Sequence, residues 1–293
     1  MSNPQLKWLY LIILSLIWGS SFILIKKGLV GLTDFQLGAL RICLTSLFLF
    51  SVGFKSAMRV PKKHWVWIAA TGFLGTFFPS FLFAIAQNHI DSAVASILNS
   101  LTPLTTVIAG VTIFAIASTR RQMLGVVIGL VGTAMLIIAG ADFNPDQNYW
   151  YSLLIVTATI GYAINVNIIK KYLNTVNALA ITTGNFICIF LPALVILYAT
   201  GFFETIWSSR EMQISFLYVA LLSLFGTAIA KVFFNKLIQI ATPVFASSVT
   251  YLMPVVAVMW GLIDGEGFSW WQILAAIIIL FGVYLSNKRQ KKE

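Results

Sequence analysis

The sequence predicts an all-α, polytopic membrane protein with ten transmembrane helices in two inverted five-helix repeats. Three observations predict it. The chain of 293 residues is 59% hydrophobic and only 10% charged, whereas soluble domains carry roughly 25% charged residues. So few charges cannot cover a soluble surface. The chain also repeats itself: Gly75, Thr76, Phe83, Ala95, Ser96, Leu101, Pro103, Val107 and Gly110 recur 151 positions later as Gly226, Thr227, Phe234, Ala246, Ser247, Leu252, Pro254, Val258 and Gly261. Finally, the basic residues gather in alternate connections between apolar runs, as the positive-inside rule demands.

A helix needs about 20 apolar residues to cross a bilayer. Runs of that length fall at about 8–25, 35–54, 65–87, 93–117, 122–140, 149–168, 177–199, 214–236, 244–263 and 269–286. Met1–Lys7 precedes the first run, and no small-residue cleavage site follows it, so this run reads as a span rather than a signal peptide. Pro79, Pro103, Pro192 and Pro254 fall inside spans, where each removes a backbone donor and should bend its helix. Gly125, Gly129 and Gly132 share one face of the fifth span and permit close approach of another helix. That face reads as packing within the chain, with a dimer contact as the alternative. Cys43 and Cys188 lie in apolar runs and read as packing residues rather than a disulfide.

With the N-terminus cytoplasmic, most of the 19 Lys and Arg residues fall inside: Lys7, Lys55, Arg59, Lys62, Lys63, Arg120, Arg121, Lys170, Lys171, Lys236 and Lys288–Lys292. Asp34, Asp91, Asp142, Asp146, Glu204, Glu211, Asp264 and Glu266 all fall outside. The expected location is the cell (inner) membrane, multi-pass, with both termini cytoplasmic. The net charge of +10 then faces anionic lipid, and nucleic acid is not an expected partner. Five spans per half is an odd number, so residues 1–141 and 142–293 enter the membrane in opposite senses. Trp8 and Gly19 correspond to Trp150 and Gly161, and Gln122 and Gly132 to Gln272 and Gly282.

Motifs along the chain then acquire a family. Trp18-Gly19-Ser20-Ser21-Phe22 lies in the first span and Arg41 follows in the second. Pro103-Leu104 and Pro254-Val255 sit in the fourth and ninth spans, and Gly265-Glu266, Trp271-Gln272 and Gly282-Val283 follow in order. Together they resemble the EamA family of the drug/metabolite transporter superfamily over essentially the whole chain. Ile116 stands where the first half of that pattern carries Glu, and Ile160-Gly161-Tyr162 where members often have Trp-Ala. The resemblance implies a basket of ten helices with a central cavity lined by spans 1, 3, 4, 6, 8 and 9. It implies transport of small metabolites, often export of amino acids.

Polar groups at membrane depth are costly against lipid and mark the candidate site. The sixth span offers Asn165 and Asn167; the fourth offers Asn99, Ser100 and Thr102 before Pro103; the ninth offers Ser248, Thr250 and Tyr251 before Pro254. A proline frees a carbonyl one turn earlier, and two such places in corresponding positions point to a midplane site. For each single residue the alternative is a bond between helices. Lys231 aligns with Ser80, so it departs from the shared scaffold. It reads either as a cation for a substrate carboxylate or as a side chain snorkelling to the inner interface. Arg41 reads as structural, because the second span is not expected at the cavity. Trp18 and Tyr251 are candidates to stack on substrate, with core packing as the alternative. Glu266 reads as an anchor at a helix end.

The function expected is a secondary transporter, by alternating access, for small metabolites such as amino acids or drug-like compounds, with export as the expected direction. Its partners are a small-molecule substrate and the bilayer, as monomer or homodimer. No P-loop is present, so ATP does not drive it directly. No cofactor or metal is expected. An intramembrane enzyme is the second class: His64 and His89 lie at loops, and no Asp or Glu lies in any span. A channel is the third.

Overall fold

In lipid each backbone polar group must be satisfied within the protein, and every regular element among the described residues is a helix. The computed structural model describes residues 3–115, 119–143 and 147–287. Nine helical segments among them are long and apolar enough to cross a membrane: α1 (Gln5–Gly28), α2 (Asp34–Met58), α3 (Lys62–Gln87), α4 (Ser92–Thr112), α5 (Arg120–Ala139), α6 (Tyr149–Tyr172), α7 (Ala178–Ala199), α8 (Arg210–Ile240) and α9 (Pro243–Ile263). A shorter apolar helix, α10 (Trp270–Leu285), follows. The chain is an all-α, multi-pass membrane protein. Ile116 and Asp146 lie outside the described residues, as do Lys288–Lys292.

Local sequence explains the ends and the breaks. Thr33 starts α2 with a capping box: its hydroxyl accepts from the Gln36 N–H, and the Gln36 side chain accepts from the Thr33 N–H. Four helices are interrupted at depth. α4 breaks between Asn99 and Thr102, just before Pro103. α9 tightens to a 3₁₀ turn over Ser248–Tyr251, just before Pro254. α3 and α8 instead widen into π-helical turns, at Phe73–Phe77 and Leu222–Ile229. Such turns insert a residue and leave carbonyls that the regular ladder would use.

The two parts of the chain interlock. α2 packs along α7, and α5 along α10. α1 packs against α8 and α9, whereas α6 packs against α3 and α4. The α5–α10 seam is backbone to backbone: a Cβ placed on Gly282 would lie 2.6 Å from the Gly129 nitrogen and 2.7 Å from the Gly125 carbonyl oxygen. The small-residue face of α5 is thus used within the chain.

Charges close both ends of the bundle. In the last turn of α1, Lys26 pairs with Asp264 and Glu266, each at 2.9 Å, and Lys27 also pairs with Asp264. Glu266 accepts from the Ser92 N–H at 3.1 Å, the Ser92 hydroxyl at 2.7 Å and the Ala93 N–H at 3.2 Å. It caps the start of α4, where a negative charge meets the helix dipole. Partial burial alone would raise the Asp264 carboxyl, but hydrogen bonds and charges from Lys26 and Lys27 outweigh it and hold the group below its ordinary value. At the opposite end the Lys170 ammonium, near the end of α6, donates to the carbonyls of Ile238, Gln239 and Ala241 at 2.8–3.3 Å.

Candidate substrate cavity between the interrupted helices

All four interrupted helices meet at one cavity, with α1, α2 and α6 completing its wall. About 100 Å³ inside is open to the centres of water-sized groups. Its lining follows the repeat. Gly75 and Gly226, Thr76 and Thr227, Ser80 and Lys231, Phe83 and Phe234, Asn99 and Thr250, and Thr102 and Met253 all face it. Each pair is 151 positions apart.

The π turns explain how polar groups gather here. In α3 the Phe78 N–H reaches back five residues to the Phe73 carbonyl, and Pro79 carries no N–H for Gly75. The Gly75 carbonyl instead accepts from Lys231 Nζ at 2.8 Å, and the same ammonium donates to the Thr76 hydroxyl oxygen. In α8 the Ala230 N–H goes to the carbonyls of Phe225 and Thr227. The Gly226 carbonyl accepts from the Trp18 indole at 2.8 Å, and the Thr227 hydroxyl oxygen accepts from Arg41 Nε at 2.8 Å. Each Gly-Thr pair therefore receives a cation from another helix. Gly75 is also required for space, because a Cβ there would lie 2.5 Å from Asn165 Oδ1. That oxygen is buried and has no hydrogen-bond partner.

Aromatic rings form the apolar walls. Trp18 meets Phe234 edge-on at 4.9 Å, Phe22 meets Phe83 at 5.9 Å, and Phe83 stacks on Tyr162 at 6.1 Å. Asn99 reaches across from one broken helix to the other, its amide 3.9 Å from the Met253 sulfur.

Of the residues singled out from sequence, Trp18, Asn99, Asn165, Lys231 and Thr250 line this cavity. Ser100, Asn167 and Tyr251 do not. The Ser100 hydroxyl donates to its own turn, at the Ile97 carbonyl. Asn167 donates to the Ala163 and Thr106 carbonyls, tying α6 to α4. The Tyr251 hydroxyl donates to the Val283 carbonyl on α10. Lys231 is 7% exposed and bonded inward, so it does not snorkel. Arg41, expected to be structural on a helix away from the cavity, stands at its wall. The reason is reach: α2 packs against the π turn of α8, and the long side chain extends to Thr227. The π turns left only the duplicated Gly-Thr pairs as their trace in the sequence.

The profile of the EamA-like transporter family matches residues 6–138 and again residues 149–288. The chain belongs to this family. Among EamA relatives, the "Uncharacterized inner membrane transporter YedA" of Escherichia coli (strain K12) is 26% identical over 275 residues, covering 93% of this chain and 87% of its own. The "S-adenosylmethionine/S-adenosylhomocysteine transporter" of Chlamydia muridarum (strain MoPn / Nigg) is 22% identical over 279 residues, covering 92% and 87%. A solved crystal structure shares the fold at a TM-score of 0.67, with 19% identity, over 97% of this chain and 96% of that one. The EamA family is one of transporters, not enzymes.

The Gly75 carbonyl gives a direct test. Pro79→Ala supplies a backbone N–H that competes with Lys231 for it. One neutral hydrogen bond is worth about 1 kcal/mol, so transport should fall roughly fivefold while the thermal midpoint holds or rises. An unchanged rate shows that this carbonyl does not position Lys231.

Proposed function

We propose that this EamA-family chain is a secondary transporter that moves small metabolites across the inner membrane by alternating access. The cavity between its interrupted helices is the substrate site. The single observation that carries this reading is the lining itself, in which residues 151 positions apart line one cavity. Inverted repeats with broken helices at the midplane place substrate there, and rocking one half against the other exposes it to each side in turn.

In this reading residues 1–141 and 142–293 are the two inverted five-helix repeats, α10 completes the second, and both termini are cytoplasmic. The twofold match of the family profile supports the division. Trp18, Asn99, Asn165, Lys231 and Thr250 contact substrate, whereas Ser100, Asn167 and Tyr251 hold the helices around it. Arg41 joins the first group. The chlamydial relatives, named for a small-metabolite cargo, support the general class of solute, and the family resemblance supports export.

Counterflow in proteoliposomes tests the proposal. Vesicles preloaded with an unlabelled solute should transiently accumulate the labelled solute above equilibrium. A channel equilibrates the label without overshoot, and that result sinks the carrier mechanism. Faster uptake into inside-out than right-side-out vesicles supports export; the reverse contradicts it.

A further inference from the structure

We infer that the cavity selects compact organic anions, holding a carboxylate between Arg41 and Lys231 and an aromatic or apolar body against the ring-lined wall. This rests on the transport reading above and names the class of solute that the same site takes.

A buried charge is costly unless it is paired. Arg41 and Lys231 both line the cavity, and both donate to neutral acceptors: Thr227 for the first, Gly75 and Thr76 for the second. No Asp or Glu among the described residues lines the cavity. The ion pairs among those residues gather at the far end of α1, on Lys26 and Lys27. The cavity therefore presents two basic side chains with no acid beside them among the described residues, and a solute carboxylate supplies the counter-charge.

The donors fit a carboxylate. An ammonium has three N–H groups and a guanidinium has five. Lys231 spends two on the protein and Arg41 spends Nε. One ammonium donor and the rest of the guanidinium fork remain, and that fork matches the two oxygens of a carboxylate. Asn165 adds a polar amide to the same wall. At roughly 10–15 Å³ per water-sized site, the 100 Å³ inside suits a solute of about the size of a phenyl-substituted hydroxy acid. Ring faces attract cations, but two basic groups in a low dielectric oppose them.

A series on one skeleton separates charge from shape. Tritiated 3-phenyllactate is bound to purified protein and competed with itself, with neutral 3-phenyllactamide and with cationic phenylalaninamide. Phenyllactate should compete at least about tenfold better than the amide, the step expected for losing one charge-assisted contact, and the cation should not compete. Arg41→Met and Lys231→Met should each erase the preference, and Arg41→Lys should restore part of it. Retention of the wild-type elution profile on size exclusion controls for folding. No binding of phenyllactate, equal competition by the amide or the cation, or a preference that survives both Met variants each overturns the inference. Should the anion series fail while counterflow of another solute persists and is blocked by Ser80→Trp, the transport reading stands and the anion selectivity alone falls.

Discussion

Replacing Lys231 by Met is expected to reduce counterflow at least 30-fold without lowering the thermal midpoint. The two effects separate because they have different causes. Lys231 joins α8 to the π turn of α3 through the Gly75 carbonyl and the Thr76 hydroxyl. A hydrogen bond to a charged group contributes about 1.5–3 kcal/mol, and an unscreened contact to a solute carboxylate adds at most ~4 kcal/mol at an effective dielectric of 20. Losing even 2 kcal/mol lowers binding about 30-fold. Stability follows another balance. Exchanging a buried charge for an apolar side chain of similar volume is often neutral or stabilising, and this offsets the loss of a partner for the Gly75 carbonyl. Activity and thermal midpoint measured on the same preparation check the prediction. Wild-type transport in the variant refutes a binding role; a midpoint that falls in step with transport assigns the lysine to structure.

Gly282→Ala is expected to have the largest effect on stability. The added methyl group meets backbone atoms of Gly129 and Gly125 at 2.6–2.7 Å, and backbone cannot rotate aside as a side chain can. The α5–α10 seam must separate along its length. Overpacking a tight core costs about 1–3 kcal/mol, and a backbone contact lies at the upper end. A fall in thermal midpoint of several degrees, or failure to elute as a single species, is the expected result. Gly226→Ala is the control: its Cβ would meet the Ser21 hydroxyl at 2.6 Å, and that group can turn away, so a smaller loss is expected. Equal losses from both would show that the seam is not tighter than the cavity wall.

Much of this architecture was legible in the chain. Long apolar runs report helices because lipid leaves the backbone no other choice. Pro103 and Pro254 report breaks because proline lacks the donor. The π turns were not legible, since the pattern of apolar residues hardly changes when one residue is inserted. Their trace was the pair Gly75-Thr76 and Gly226-Thr227, conspicuous as a repeat but not as geometry. Lys231 stood out because it breaks the repeat at Ser80. Arg41 was expected away from the cavity because its helix stands behind the others, and side-chain length brings its guanidinium to the wall. Ser100, Asn167 and Tyr251 have the same polarity as the cavity residues. Helical phase and neighbours decide which way each turns, and a single sequence does not fix those to one residue.

The most direct test of the central claim is access to the cavity from both sides of the membrane. Cys43 and Cys188 are free and are replaced by Ala; Ser80→Cys then places a single thiol at the cavity wall. Alternating access predicts that a membrane-impermeant methanethiosulfonate labels this thiol whether added inside or outside sealed vesicles, and that a bound solute protects it from both. Labelling from one side alone, or labelling that a transported solute leaves unchanged, would contradict the account.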